Sequence, residues 1–129
     1  MANRITEHTV TELTGKDPSE FATILRIKMK RDLTLNSLQE LGQIVPKLQV
    51  LKLNGSNIHT LRDIGTSLKH LKALSVSRCG LRELSGLICF PKLQELYCSF
   101  NSIKDLKSVS DAFLLQVLDL EGNEIDDAG

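Results

Sequence analysis

The chain has 129 residues, enough for one domain, and its 41% hydrophobic and 25% charged residues are ordinary for a globular protein. Lysines plus arginines number 16, as do aspartates plus glutamates, so net charge gives no general affinity for nucleic acids or membrane surfaces. No stretch approaches the roughly 20 apolar residues of a membrane span, and residues 1–10 contain no signal-peptide core.

Residues 1–23 are predicted to form a helical cap at the N-terminus. Thr9 followed by Glu12 resembles a capping box, which predicts the start of a short helix. Three apolar residues are spaced so that they could share one face of that helix: Ile5, Val10 and Leu13. Gly15 and Pro18 then predict its end. Such a helix would cover the first coil of the segment that follows.

An internal repeat occupies the rest of the chain. The pattern L-x-x-L-x-L-x-x-N-x-L begins at Leu48, Leu71, Leu93 and Leu115, so the starts are 23, 22 and 22 residues apart (71−48, 93−71, 115−93). A degenerate copy begins at Ile24, 24 residues before Leu48 (48−24). We predict a single domain, 1–129. After the cap it contains a degenerate repeat (24–47), three full repeats (48–70, 71–92 and 93–114) and an incomplete last repeat (115–129).

This spacing predicts an α/β fold, a right-handed leucine-rich-repeat solenoid of about five coils. The L-x-L centre of each repeat would be a short strand, and the strands would stack into a parallel, concave sheet. One small or polar residue per repeat would turn the chain off the strand and bond to unpaired backbone groups: Asp32, Ser56, Cys79, Asn101 and Asn123. Apolar residues would then line short helical or 3-10 segments on the convex side: Leu61, Ile64, Leu68, Leu84, Leu87, Phe90, Leu106, Val109 and Phe113.

The sequence ends soon after the fourth full pattern. No convex half follows Ile125, so we expect the last coil to expose an apolar edge. We expect either that the sequence is a fragment of a longer protein or that the C-terminal end of the solenoid is covered.

Strand residues that point outward would form the candidate binding face. The predicted partner-binding residues are Tyr97, Phe100, Arg78, Glu95, Lys52, Ser75, Asp119, Glu121, Arg26 and Lys28. The rows run from basic at the N-terminal end to acidic at the C-terminal end, which could set a partner's direction. Tyr97 and Phe100 beside Arg78 would anchor a helix or loop of that partner, because aromatic and arginine side chains dominate binding hot spots. Alternatively, Phe100 packs on neighbouring turns and the charge rows are merely solvated.

No recognisable chemistry accompanies this face. His8, His59 and His70 are scattered, and no nucleophile elbow or phosphate-binding glycine motif is present. The odd number of cysteines, in no zinc-binding spacing, favours a reduced, intracellular protein. Cys98 occupies a core position, Cys79 the turn position, and Cys89 is expected near the convex surface. We therefore predict no enzyme activity, catalytic residue, cofactor or metal.

The positions that the repeat leaves free carry a resemblance to one family. Six segments together resemble the leucine-rich repeat-containing protein 56 family of motile cilia and flagella, over residues 24–127. They are LKLNGS at 51–56, LRDIGTSL at 61–68, RCGL at 78–81, ELY at 95–97, SFN at 99–101 and LDLEGN at 118–123. The resemblance implies a cytoplasmic or flagellar adaptor that binds protein partners during assembly or intraflagellar transport of outer dynein arms.

Two other functions stay open for a repeat protein of this period. A phosphatase-regulatory protein would use the same concave face on a different partner. An RNA-associated scaffold would use basic residues of the first two repeats on phosphates: Arg26, Lys28, Lys30, Arg31 and Lys52. Neither a small-molecule substrate nor a membrane is expected.

Overall fold

A computed structural model describes residues 4–35 and 37–126. The L-x-L centres form five parallel strands in the order of the chain: β1 (Arg26–Lys28), β2 (Val50–Lys52), β3 (Ala73–Ser75), β4 (Glu95–Tyr97) and β5 (Val117–Asp119). Equivalent residues of successive repeats pair directly; Leu74, for example, pairs with Leu51 on one side and Leu96 on the other. The α/β leucine-rich-repeat solenoid is therefore confirmed, with the degenerate repeat supplying its first strand.

Short helical segments lie before β1 and between successive strands, the latter as predicted for the convex side. Two are α-helical, α1 (Glu7–Thr14) in the N-terminal cap and α2 (Leu41–Ile44) in the first coil. The others are 3-10 helices: Pro18–Thr23, Leu61–Ile64, Leu87–Cys89 and Lys107–Asp111. Each convex segment is short because a coil of 22–24 residues leaves only a few for the return path.

The N-terminal helix begins earlier than the sequence pattern predicts. Its capping box joins Thr6 and Thr9, with the Thr9 amide donating to the Thr6 hydroxyl (3.3 Å) and the Thr6 amide to the Thr9 hydroxyl (3.2 Å). The predicted Thr9–Glu12 box is therefore wrong; a threonine at the third helical position replaces the usual Glu or Gln. Leu13 is exposed rather than buried with Val10, whereas Gly15 ends the helix in a left-handed conformation as expected.

The core runs unbroken along the solenoid axis, and among the described residues polar side chains are buried in it only where they pair with backbone. Asn101 accepts from the amides of Cys79 (2.9 Å) and Leu81 (3.0 Å), and donates to the carbonyls of Val76 (3.0 Å) and Cys98 (2.9 Å). The predicted role of the turn position is confirmed at this residue. In the first repeat Asp32 has the same role although it is exposed, because its carboxylate accepts from the backbone amide of Thr34 in the turn (3.1 Å).

The convex half of the repeat 93–114 departs from the predicted convex core. Residues Leu106 and Phe113 are exposed, the latter at 87% of its surface, whereas Leu61 and Leu84 at earlier positions of the same kind are buried. The reason is that no further coil stacks on them within residues 4–35 and 37–126. The expected apolar edge is therefore present. No helix in the described part of the chain is long and apolar enough to span a bilayer.

Candidate protein-binding face

A groove of about 540 Å³ lies on the concave sheet and crosses all five strands. The fold brings six of the predicted partner-binding residues into its lining: Arg26, Lys52, Ser75, Glu95, Tyr97 and Asp119. The sequence-based selection omitted four further lining residues: Val50, Asn54, Ala73 and Ser77. They occupy the same outward positions as the selected residues, but their small or neutral side chains carry no chemical signal for binding.

Tyr97 is positioned by a neighbour on its own strand. The Tyr97 hydroxyl donates to the Glu95 carboxylate, two residues before it on β4 and therefore on the same face of the sheet. This hydrogen bond, followed by burial and the charges of Glu95 and Asp119, raises the pKa of Tyr97 above its ordinary value. The phenol is consequently held as a neutral donor, with its ring half-exposed in the groove.

Polar side chains connect the strands along the floor of the groove. The Asn54 amide oxygen accepts from the Ser75 hydroxyl (2.7 Å) and the Ser77 amide (2.8 Å). Ser99 continues the series by donating to the Ser77 hydroxyl (2.9 Å). These bonds fix the side chains before a partner arrives, which lowers the entropic cost of binding.

Arg78 and Phe100 lie in a different place from that predicted. They lie in the turns after β3 and β4, and each has a φ of +56°, which is a left-handed conformation. Gly55 and Gly122 occupy the equivalent position in other repeats and also have a positive φ. The Arg78 guanidinium lies 4.3 Å from the centroid of the Phe100 ring. Phe100 packs on the neighbouring turns through Arg78 and Gly122, as in the alternative prediction, but 43% of its surface remains exposed.

The remaining predicted residues lie at the two ends of the face. Lys28 is exposed on β1 and does not line the groove. Glu121 is exposed in the turn after β5, where its amide donates to the Asp119 carboxylate (3.1 Å). Arg26 and Lys28 thus mark a basic end and Asp119 and Glu121 an acidic end, on opposite edges of the sheet.

The cysteines lie away from the groove floor and serve the core. Burial raises the pKa of the Cys98 thiol to about 12, with a contribution from Asp119, and also raises that of Cys79. Cys89 is half-exposed on a convex 3-10 helix. Among the described residues, no three His, Cys, Asp or Glu side chains cluster as metal ligands.

Known proteins with similar sequences share the repeat region. Human leucine-rich repeat-containing protein 56 is 48% identical over 103 residues, covering 80% of this chain and 19% of the human protein. The homologue of the same name in Trypanosoma brucei brucei is 44% identical over 96 residues, covering 73% of this chain and 13% of its own length. Leucine-rich repeat-containing G-protein coupled receptor 5 of Xenopus tropicalis is 38% identical over 97 residues, covering 70% of the chain and 11% of the receptor. No protein-family model matches the chain.

Proposed function

The chain belongs to the leucine-rich repeat-containing protein 56 family, and we propose that it is a non-enzymatic, protein-binding adaptor in the assembly or intraflagellar transport of outer dynein arms. It spans about one fifth of the length of its human relative (19%), so the proposal concerns what this repeat domain contributes. The repeat architecture supports a protein-interaction scaffold. The ciliary role rests on the family resemblance, as does the proposed location in the cytoplasm and the cilium or flagellum.

The observation that supports binding most directly is the concave groove, which Tyr97 lines. It combines a half-exposed aromatic ring with a preset hydrogen-bond network, and it has charges of opposite sign at its two ends. Such a surface suits a helix or extended segment with a basic end over Glu121 and an acidic end over Lys28. A small-molecule site is disfavoured because the groove is a shallow strip across five strands.

The test is an affinity pull-down from flagellated cells with quantitative mass spectrometry. The double variant Tyr97→Ala, Phe100→Ala should lose dynein-arm or intraflagellar transport components that the unchanged chain recovers. The matched control is Ile88→Ala, which removes an exposed apolar side chain (64%) from the convex side. Equal recovery by all three would contradict the concave site, and recovery of a phosphatase alone would support the phosphatase-regulatory alternative.

A further inference from the structure

A second cavity, of about 350 Å³, lies beside the first residues of the strands and shares no lining residue with the concave groove. Most of its lining comes directly before β2, β3 and β4: Leu25, Lys47, Gln49, His70, Lys72 and Lys92. No part of the concave-face hypothesis uses these side chains. We call them, taken together, the lysine cavity.

The repeat register explains why the basic side chains converge. Lys47, His70 and Lys92 each directly precede the first leucine of a repeat, at Leu48, Leu71 and Leu93. Because parallel strands lie about 4.8 Å apart, equivalent residues of successive repeats stand side by side. The Lys92 ammonium donates to the His70 imidazole, with Nζ 3.1 Å from Nδ1. Lys72 enters the same cavity from the position after Leu71.

The charge of this cavity is not balanced within the described part of the chain. No carboxylate lines it, and the described salt bridges, Arg4–Glu40 and His8–Glu12, lie elsewhere. Gathering three ammonium groups in one cavity costs free energy through repulsion. On the concave face, by contrast, Glu95 and Asp119 share the groove with the basic residues. An anion would therefore gain more in the lysine cavity than on the concave face.

We propose that the lysine cavity binds an acidic segment of a protein partner, at a site separate from the concave groove. Leu25 contributes an apolar side chain that is 44% exposed, and Gln49 lies beside it. An acidic peptide can contact both the lysines and Leu25. Its carboxylates would pair with the lysines, and the aliphatic part of a side chain would pack on Leu25. A single-stranded nucleic acid would need large aromatic side chains for base stacking, and no Phe, Tyr or Trp lines this cavity.

The experiment is fluorescence anisotropy of a fluorescein-labelled hexaglutamate peptide with the whole chain at low ionic strength. The variant Lys72→Gln, Lys92→Gln should bind roughly fivefold more weakly or worse, since two charge contacts are removed. The control variant Lys104→Gln, Lys107→Gln has the same net charge, and its two exposed lysines lie outside the cavity. It should bind as the unchanged chain does. Circular dichroism of each variant verifies the fold.

Three outcomes would overturn the proposal. Equal weakening in both lysine pairs would show that only net charge matters. Loss of binding in Lys28→Gln, Lys52→Gln, with no loss in Lys72→Gln, Lys92→Gln, would move the peptide to the concave face. Binding to phosphatidylserine-containing vesicles, with none to hexaglutamate, would replace the peptide by a membrane surface.

Discussion

The ring of Phe100 lies between the Arg78 guanidinium, 4.3 Å from its centroid, and the backbone of Gly122 in the next turn. A Cβ added to Gly122 would come within 2.3 Å of the ring carbon Cδ1. Because Gly122 has no side chain, the Phe100 ring can pack against its backbone. The Arg78 guanidinium in turn packs on the Phe100 ring. Residues of three consecutive turns thus determine the position of the Phe100 ring at the edge of the concave face.

Substitution of Gly122 by alanine should both destabilise the fold and displace the Phe100 ring. The left-handed φ of +73° costs an alanine about 1–2 kcal/mol, and the contact with the ring adds to that loss. The matched control is Gly80→Ala, where φ is +77° but no atom lies within 4 Å of the added Cβ. Denaturant unfolding should show a larger loss for Gly122→Ala, with the Phe100 ring resonances shifted by NMR. Equal losses and an unmoved ring would contradict the stacking.

Ionisation of Tyr97 should require a higher pH than that of an ordinary tyrosine. The chain contains one tyrosine and no tryptophan, so tyrosinate absorbance in the ultraviolet reports this residue alone. Because the Glu95 hydrogen bond raises the pKa of Tyr97 in the folded state, its stabilising effect is present below the unfolded pKa. That effect is lost as pH rises through the folded value.

The Tyr97 titration has a direct control. Glu95→Gln should lower the pKa of Tyr97 towards its ordinary value by removing the carboxylate acceptor. Glu83→Gln removes an exposed carboxylate that accepts a hydrogen bond from the Ser85 hydroxyl, so it should leave the titration unchanged. An unaltered midpoint in Glu95→Gln would mean that the hydrogen bond does not form in solution.

The sequence predicts the strands of this fold far better than its turns and its ends. Periodicity alone places Leu51, Leu74 and Leu96 in the sheet core, because alternation along a strand leaves one choice of face. It does not reveal that Arg78 and Phe100 adopt a positive φ, because neither residue is of a type that indicates a left-handed turn. The predicted position of Phe100 on the sheet was wrong for this reason.

The concave groove and the lysine cavity also differ in whether the sequence predicts them. The concave groove could be predicted because its charged and aromatic residues fall at outward strand positions. The lysine cavity was not predicted, because Lys47 and Lys92 precede the first leucine of their repeats and so lie outside the outward strand positions that define the concave face. Their convergence with His70 becomes visible only when the coils are stacked.

Thiol reactivity should distinguish the three cysteines. Cys98 and Cys79 are buried, and desolvation raises the pKa of both thiols, so few thiolates are available for reaction. Cys89 is half-exposed. We expect one thiol of the native chain to react rapidly with Ellman's reagent, and Cys89→Ser to abolish that phase. Full reaction of the denatured chain calibrates the assay, and rapid modification of Cys79 or Cys98 in the native chain would contradict the burial.

Removal of the Asn101 side chain should cost about 3 kcal/mol or more of unfolding free energy, because buried amide and carbonyl groups lose their partners. Asn123→Ala is the matched comparison. Asn123 makes the same type of contacts in the last coil but is half-buried, so water can replace some of them. The loss measured by denaturant unfolding should therefore be smaller for Asn123→Ala. A reversed order would show that the hydrogen bonds between these asparagines and the backbone are not the source of the stability.

Truncation of Leu96 to alanine should destabilise the protein by about 2–5 kcal/mol, because the side chain is fully buried between neighbouring coils and leaves a cavity. Leu118 pairs with it on β5 but is only partly buried, so Leu118→Ala should cost less. Guanidinium unfolding of both variants measures the difference. Since stability in a solenoid depends on contacts between neighbouring coils, equal losses would mean that the face of β5 is covered in solution, and that the last coil is not the open end described above.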